Sequence, residues 1–583
     1  MRKHPSNPTR RAFLASSVTG LAGSALAAHQ LSGQRAPLSK TTSAPVIDER
    51  SLPAENAQEN SAGGTETTPR LCGIMADAAR LPEDPSYYRR MIDFCYDWNL
   101  NALLLSLADD QGCALRFKSH PELITHRHAL THTQAKDLAD YAQKRGVELI
   151  PEIESFGHTR YITGVPQYAH LADQDPKAGS HFSSVVPVAP ATLRLMSDLY
   201  REVAEIFPSR YLHGGCDEVN WGGSDLSRRA LRSKTRAQIW ADYLNSLDQA
   251  ASQLGKEFIV WGDYVLHKEP GILPLLNKDV IVMDWQYYVT DPVPLEQAAR
   301  KVLAAGLRAI GAPALISCRW GPRAGLSALQ NIDAYADAYR NIDDPKALGV
   351  IVTNWLPSRY IQRSIWDSFA YAAVSLTEGS SVARKAALRR FVEKFYGSQW
   401  NGNWADTFVT IYNITPNRKS CSPRWMRPVL PVPWRNENEL RTAVKSHVRN
   451  GPPFTRLLSQ LVFDQELVRK NFDDFLAFRL SVEYLEHVFW RNTVLVEEAT
   501  NSRRDAVRTA SLIQTIAERD QRLLGKLSAT WDQGRPRNSA GKLGPIFDVS
   551  PADQLLYTFQ QAATFSNQLA RDPDRLNQLL YSA

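Results

Sequence analysis

Two adjacent carboxylates follow a short apolar run in the segment YLHGGCDEV, at positions 211–219. Asp217 and Glu218 come just after a glycine pair. A short hydrophobic segment that ends in glycines is typical of a buried parallel strand running out into a loop, where barrel enzymes hold their reactive groups. Paired carboxyl groups at such a place indicate acid–base chemistry on a glycosidic bond.

An earlier segment, VELIPEIESFGH at positions 147–158, has the same form. Its apolar strand carries Glu152 and Glu154 into a turn that contains His158. Together the two segments resemble the family 20 glycoside hydrolases, the β-N-acetylhexosaminidases. In that family the strand-end Asp-Glu pair follows a His-x-Gly-Gly-like lead, and an earlier strand ends in a Gly-His turn. Each motif alone has a bland interpretation, since acid pairs at strand ends and buried core histidines are both common.

The resemblance implies a substrate-assisted mechanism in which the 2-acetamido oxygen of the substrate is the nucleophile. It makes Glu218 the general acid and later the general base, and makes Asp217 the group that orients the acetamido nitrogen. It places His158, with Asp109 or Asp110 behind it, in support of the acid. Because Glu218 must carry a proton, we expect the charge of its neighbour to raise its pKa. Adjacent strand residues face opposite ways, so we also expect the backbone to bend here.

The resemblance also implies a sugar-binding set. Arg80, in the Asp-x-x-Arg ending of the segment 70–80, maps onto an arginine that grips sugar hydroxyls. Three tryptophans each end a predicted strand, as do those that wall the sugar pocket of the family: Trp261, Trp285 and Trp355. Aromatic faces suit the C–H surface of a pyranose, although each of these rings also fits a core position.

This chain departs from the family pattern at two of those places. The tyrosine expected after the seventh strand is missing near positions 314–315, and we predict that Tyr287 or Tyr288 substitutes for it from the preceding loop. After Trp355 the family's Gly-Glu is replaced by Leu356-Pro357, which removes a carboxylate that binds outer hydroxyls. The identity of the substrate is therefore open.

Alternating strand and helix patterns predict a (β/α)8 barrel over residues 69–375. The predicted strands lie in the segments 70–80, 102–107, 147–158, 211–219, 257–261, 280–285, 307–311 and 348–355. Beyond the barrel, helical spacing of apolar residues predicts an all-α C-terminal domain over residues 376–583. Its predicted helices cover 382–396, 454–478, 481–500, 502–531 and 551–580. The proline-rich stretch 416–434 is interpreted as a domain connector or a loop over the barrel mouth.

The N-terminus predicts export. Residues 1–28 combine a twin-arginine motif at Arg10 and Arg11 with a short apolar stretch and a small-residue cleavage site, which is typical of a twin-arginine signal. The alternative is a retained anchor, for which the apolar stretch is short. Residues 29–68 are polar and interpreted as a disordered linker. We expect a periplasmic or extracellular protein without a stable membrane span.

Charge and cysteine content exclude other classes of protein. The formal net charge is +7, and four of these positive charges belong to Arg2, Lys3, Arg10 and Arg11. The rest of the chain therefore offers no basic surface for nucleic acid. The six cysteines have no CxxC spacing, so a metal cluster has no support, and buried free thiols are the favoured state. With the function that the resemblance implies, we expect neither a metal nor an organic cofactor.

The favoured function is an exported glycoside hydrolase that releases terminal β-linked N-acetylhexosamine from a glycan or glycoconjugate. One alternative is a glycosidase for a differently substituted, for example sulfated, amino sugar. Another is a glycan-binding barrel without catalysis, although a binding module has no need for the proton donor that Asp217, Glu218 and His158 would form. The sequence leaves the oligomeric state open.

Overall fold

The computed structural model describes residues 70–173, 183–316, 323–414, 453, 455–461, 464–501, 503, 505–535 and 554–575. The signal at 1–28, the linker at 29–68 and the proline-rich stretch at 416–434 lie outside these residues.

Eight parallel strands form a closed barrel, which confirms the predicted fold class. In chain order they are β1 Leu71–Asp77, β2 Ala102–Asp109, β3 Glu148–Ile153, β4 Tyr211–His213, β5 Glu257–Trp261, β6 Ile281–Asp284, β7 Arg308–Gly311 and β8 Ala347–Asn354. Each strand pairs with the next, and β8 pairs with β1 to close the ring. All their carboxyl ends therefore meet at one face of the barrel.

Helices surround the barrel after seven of the eight strands. They are α1 Pro85–Asp97, α2 His132–Gln143, α3 Pro190–Ile206, α4 Arg236–Ser252, α5 Pro292–Ala304, α6 Leu326–Arg340 and α7 Trp366–Glu378. Capping chemistry explains where several begin: Asp84 accepts a bond from the Ser86 amide before α1, and Thr131 forms a capping box before α2. After β5, residues 262–280, all described, form a π-helical turn Asp263–Lys268 and a 3-10 turn Pro270–Leu275 instead.

Short elements decorate the carboxyl-end face. Strand Gly112–Leu115 pairs antiparallel with the end of β2 and parallel with strand Thr125–Leu130. A third short strand, Ala314–Ile316, pairs with β8. Two further short helices lie at Arg160–Thr163 and Asp225–Ala230. They fill the loops after β3 and β4, which are the loops that carry the acidic motifs.

The hydrophobic core has an inner and an outer layer. The inner layer fills the barrel with side chains such as Met75, Leu104, Ile150 and Met283, and the outer layer packs the strands against the helices. Trp261 belongs to the inner layer, and Trp285 and Trp355 pack against it. Aromatic rings therefore cap the core at the end of the barrel where the site lies.

The C-terminal region is helical, as predicted. Its longer helices are α8 Gly402–Ile414, α9 Phe472–Thr500, α10 Ala506–Gly534 and α11 Gln554–Arg571, preceded by short helical turns over 380–396. The predicted break between 478 and 481 is wrong, because α9 runs unbroken through it. Phe475, Phe478, Val482 and Leu485 are buried at three- and four-residue spacing and give the helix one continuous apolar face.

Buried ion pairs join these helices to the barrel. Arg535, which follows α10, bonds Glu83 at 2.8 Å, and Arg323 bonds both oxygens of Asp367 at 2.8 Å and Ser481 at 3.2 Å. Among the described residues, no helix combines the length and the apolar character that crossing a membrane would require.

Candidate active site

The backbone turns sharply where the acid pair leaves β4. Gly215, Cys216 and Glu218 all have positive φ angles, of 63°, 77° and 47°. Left-handed backbone at a non-glycine residue costs about 1–3 kcal/mol and is concentrated at functional sites. The turn has the expected consequence, because Asp217 and Glu218 reach the same side chain: His158 Nε2 lies 3.6 Å from Asp217 Oδ1 and 3.3 Å from Glu218 Oε2.

His158 stands between two pairs of acids. Its Nδ1 lies 3.2 Å from Asp109 Oδ2 and 3.7 Å from Asp110 Oδ2, so of the two aspartates left open by the sequence Asp109 is the closer. Burial lowers the pKa of His158, but the charges of Asp217 and Asp109 and the hydrogen bonds to Asp109 and Glu218 raise it well above its usual value. These partners favour the imidazolium form of the ring, in which both nitrogens can donate.

The two aspartates behind His158 differ in charge. Burial raises the pKa of Asp109, but Arg80 and His158 outweigh it and leave this pKa below its usual value. Arg80 Nη2 bonds Asp109 Oδ2 at 2.8 Å, and Arg80 Nη1 lies 3.2 Å from Asp77. Asp110 accepts the Arg160 amide at 2.7 Å, and burial raises its pKa to about 7. Asp109 is therefore the standing negative charge behind His158.

The acid pair titrates in the opposite order to the one expected. Burial raises the pKa of Asp217 to about 7, against the attraction of His158. Burial also raises the pKa of Glu218, but hydrogen bonding and charge from His158, with the charges of Lys268 and Arg80, bring it below its usual value. The expectation of a raised Glu218 pKa is therefore wrong for the unliganded site. That expectation considered only the neighbouring Asp217, whereas His158, Lys268 and Arg80 come close to Glu218 only in the folded chain.

Glu154 is a residue of the site whose role the sequence did not indicate. It is buried, and its Oε2 accepts the Cys216 amide at 2.9 Å. Burial and the charge of Asp217 raise the pKa of Glu154 well above its usual value, and it hydrogen-bonds the Asp217 carboxyl. The sequence does place Glu154 two residues after Glu152 on an otherwise apolar strand. Residues two apart in a strand face the same side of the sheet, so this spacing could have indicated that both acids point into the site.

Glycine at 215 makes room for this acid. A Cβ on Gly215 would lie 2.1 Å from Glu154 Oε2 in addition to the strain of its positive φ. We expect Gly215→Ala to lower the free energy of unfolding by at least about 2 kcal/mol, measured by denaturant unfolding. Gly255→Ala is the matched control, because Gly255 has a φ of 72° with nothing within 4 Å of the added Cβ. Equal losses of unfolding free energy in the two variants would show that the Glu154 side chain can move away from the added methyl group without a cost in stability.

Aromatic side chains from three strand ends surround the acids. The Trp261 and Trp355 rings lie 5.8 Å apart, and the Trp285 ring stacks on Tyr287 at 5.0 Å. Trp355 Nε1 donates to the Tyr287 hydroxyl at 2.8 Å, and the Arg80 guanidinium lies 4.7 Å from the Trp355 ring centre. The structure thus joins all of these sequence-predicted residues into one cluster.

The tryptophans differ in exposure. Trp261 is only 1% exposed, and its indole N–H bonds Glu152 Oε1 at 2.9 Å, so it forms the floor of the site. Trp285 and Trp355 are half-buried. Burial raises the pKa of Tyr287 far above its usual value, and the nearby charges of Asp217 and Glu218 add to this. Of the two tyrosines considered, Tyr287 is the one that this cluster holds.

The same acids offer a possible set of metal ligands. His158, Asp217 and Glu218 each place one atom within 4.8 Å of the others. A metal-binding imidazole must be neutral and supply a lone pair, whereas His158 is an imidazolium facing carboxylates with both nitrogens. The group is therefore better suited to holding protons than a cation.

A second group missed by the sequence reasoning lies on the Glu218 side. Asp263 Oδ2 accepts the Glu218 amide at 3.2 Å and also bonds Lys268 Nζ at 2.7 Å. Both residues come from the π-helical turn that replaces the fifth barrel helix. The only sequence signal was that this turn directly follows Trp261.

Comparison with known proteins agrees with this geometry. Residues 71–317 match the catalytic domain of glycosyl hydrolase family 20. A β-hexosaminidase from Vibrio furnissii is 26% identical over 249 residues, which cover 36% of this chain and 39% of that protein. The β-hexosaminidase subunit alpha of Rattus norvegicus is 25% identical over 261 residues, which cover 42% of this chain and 47% of that protein. The chain thus spans less than half the length of these curated relatives.

A solved structure is similar at a lower level. The family 20 exo-β-N-acetylglucosaminidase from Vibrio harveyi, in complex with N-acetylglucosamine, superposes with a TM-score of 0.40 and 20% identity over 54% of each chain. That similarity is too low to inform the site. The sequence match covers β1 to β7 and includes every acid of the candidate site. The barrel of this chain is therefore similar to the catalytic domain of glycosyl hydrolase family 20.

Proposed function

We propose that this chain hydrolyses terminal β-linked N-acetylhexosamine from a glycan or glycoconjugate, with the acetamido group of the substrate as nucleophile. The observation that carries the proposal is the position of His158, whose Nε2 faces both Asp217 and Glu218 while its Nδ1 faces Asp109. Two carboxyl groups that face one imidazole can share a single proton, and substrate-assisted hydrolysis uses the form in which Glu218 carries that proton and Asp217 is ionised.

Each acid has a distinct step. Glu218 gives its proton to the glycosidic oxygen while the acetamido oxygen attacks the anomeric carbon, so the leaving group departs as an alcohol and an oxazolinium ring forms. Asp217 accepts a hydrogen bond from the acetamido N–H and stabilises the positive charge of the oxazolinium ring. Glu218 then takes a proton from water, whose oxygen attacks the anomeric carbon and reopens the ring with retained configuration.

Tyr287 fits the position of an acetamido-oxygen donor. Its hydroxyl accepts the Trp355 indole N–H and also has the Thr353 side chain as a hydrogen-bond partner, so in this proposal the hydroxyl turns from Thr353 to the substrate oxygen when the site fills. The Trp355 ring that donates to Tyr287 also contacts Arg80, which bonds Asp109, so the hydroxyl belongs to the same cluster as the acids. In this proposal Trp285 and Trp355 hold the pyranose, while Arg80 donates to its hydroxyls.

The test is release of 4-nitrophenol from 4-nitrophenyl N-acetyl-β-glucosaminide and from the galactosaminide. The control substrate is 4-nitrophenyl β-glucoside, which lacks the acetamido nucleophile. We expect turnover of one or both N-acetyl substrates and a rate that falls as fluorine replaces hydrogen in the N-acetyl methyl group, because fluorine weakens the attacking oxygen. A folded protein that binds these glycosides without turnover would instead be a glycan-binding barrel, and a rate insensitive to fluorine would exclude acetamido participation.

The pH profile tests the role of His158. The charge of His158 lowers the pKa of both Asp217 and Glu218, so the neutral His158→Gln side chain should raise both. Activity requires ionised Asp217 and protonated Glu218, and both limbs of the kcat/KM profile should therefore move to higher pH. Profiles of the two proteins on 4-nitrophenyl N-acetyl-β-glucosaminide measure this shift. A profile that only falls in height would mean that His158 does not set these ionisations.

We also propose export through a twin-arginine signal. The proposal is supported by Arg10 and Arg11 ahead of an apolar stretch and a small-residue cleavage site. N-terminal sequencing of the protein recovered from the periplasm tests it, with the Arg10→Lys, Arg11→Lys double variant as control. An intact N-terminus at Met1 in the cytoplasmic fraction would contradict it.

A further inference from the structure

Two cations stand on the Glu218 side of the site, where the mechanism above does not use them. We call Lys268 and Arg236 the cationic rim. Each lies over an aromatic ring: Lys268 Nζ is 4.2 Å from the ring centre of Tyr264, and the Arg236 guanidinium is 4.6 Å from that of Trp221. Stacking of this kind is favourable and holds a long side chain in place.

Lys268 is tied to the acid itself. It bonds the same Asp263 oxygen that accepts the Glu218 amide, so one carboxylate oxygen joins the ammonium to the backbone of the proton donor. The Tyr264 hydroxyl beneath it bonds the Val219 carbonyl, one residue further on. The side chain of Lys268 is nevertheless 46% exposed, which leaves ammonium protons directed to solvent.

Arg236 is held on the segment that follows the acid. Its Nη2 donates to the Trp221 carbonyl at 3.2 Å. Gly222 has a φ of 104°, and a Cβ there would lie 3.3 Å from Arg236 Nη1, so the glycine keeps space beside the guanidinium. Within the part of the chain that the structure describes, no carboxylate forms an ion pair with Arg236.

The rim itself carries one positive charge that no ion pair among the described residues offsets. Asp263 offsets Lys268, whereas Arg236 has no such partner. On the same π-helical turn His267 bonds Asp284 at 2.8 Å, so that pair adds no net positive charge beyond the rim. The charge that has no partner favours an anion beside the rim.

The position of the rim identifies which part of the substrate it meets. Glu218 protonates the leaving oxygen, so groups around Glu218 face the leaving group and not the N-acetylhexosamine ring. We propose that the leaving group is an acidic sugar, bearing a carboxylate or a sulfate ester, and that Lys268 and Arg236 recognise this anion. This inference rests on the proposed function and narrows its substrate class.

Matched disaccharides test the inference. The neutral substrate is N-acetylglucosamine β-linked to methyl glucoside, and the acidic ones carry methyl glucuronide or methyl glucoside 6-sulfate in its place, each in β-1,3 and β-1,4 linkage. We expect kcat/KM for an acidic substrate to exceed that for the neutral one by about tenfold or more at low salt, and this ratio to shrink as salt increases. Preference for the carboxylate or for the sulfate identifies the anion.

Variants then locate the effect. In the Lys268→Met, Arg236→Gln double variant the acidic-to-neutral ratio should fall to about one, because the ratio cancels any change in the pKa of Glu218. Lys136→Met is the charge-matched control, since Lys136 is a 60% exposed lysine on α2, and it should keep the wild-type ratio. The wild-type ratio and its salt dependence remain decisive even if the double variant does not fold.

Two outcomes overturn the inference, and they differ. If the wild-type protein cleaves the neutral disaccharides as well as the acidic ones in both linkages, the rim does not select an anion, although the proposed function stands. If no N-acetylglucosaminide is cleaved, including the 4-nitrophenyl glycoside, the proposed function fails and this inference fails with it.

Discussion

Replacing Glu218 with glutamine lowers kcat/KM by about 10³-fold for a substrate with a poor leaving group and far less for one with a good leaving group. In the proposed mechanism Glu218 supplies the proton to the leaving oxygen, and general acid catalysis is worth about 10²–10⁴-fold when that proton is needed. A dinitrophenolate leaves without protonation. The measurement compares an N-acetylglucosamine disaccharide with 2,4-dinitrophenyl N-acetyl-β-glucosaminide on the purified wild-type protein and on Glu218→Gln.

Hydrolysis of the oxazoline, the second step of the reaction, tests the role of Glu218 as a base. Glutamine cannot take a proton from water, so the oxazoline should accumulate with the dinitrophenyl substrate and appear as a burst. Azide, which needs no base, should restore turnover. Because the Glu218 side chain is 39% exposed, we expect the variant to keep the thermal stability of the wild type. Equal losses with both leaving groups, or no rescue by azide, would remove Glu218 from the role of acid and base.

Replacing Asp217 with asparagine lowers kcat/KM by about 10²–10³-fold to the same extent for both leaving groups. Asp217 acts on the acetamido nucleophile and on the positive ring that it forms, and neither depends on how well the leaving group departs. The same two substrates measure it, so each variant is the control for the other. A loss that depends on the leaving group would assign Asp217 to proton transfer.

Folding of the Asp217→Asn variant needs its own control. Asp217 is buried beside Glu154, whose raised pKa keeps a proton in that pair. Glu154→Gln retains a hydrogen-bond donor toward Asp217 and should therefore lose much less activity than Asp217→Asn. Thermal unfolding of both variants separates loss of the fold from loss of function.

The sequence predicted the barrel and the location of the acids well. The barrel strands are short apolar runs that can be recognised from neighbouring residues alone. Strand β5, Glu257–Trp261, could therefore be predicted without tertiary information. The glycines before Asp217 and Glu218 indicated a bend, and positive φ angles at Gly215, Cys216 and Glu218 produce it. The helical nature of the C-terminal region was also predictable, whereas the boundary within α9 was not, because packing on one continuous apolar face overrides local propensity.

What the sequence by itself determined was therefore the fold and the candidate reactive carboxylates, since both follow from local pattern and motif. Only the tertiary structure decided their ionisation and surroundings. Glu218 has a lowered pKa because His158, Lys268 and Arg80 approach it from other parts of the chain, and burial together with the charge of Asp217 raises the pKa of Glu154 well above its usual value. These effects depend on distances and burial between residues far apart in the chain, and neither quantity can be read from residue order.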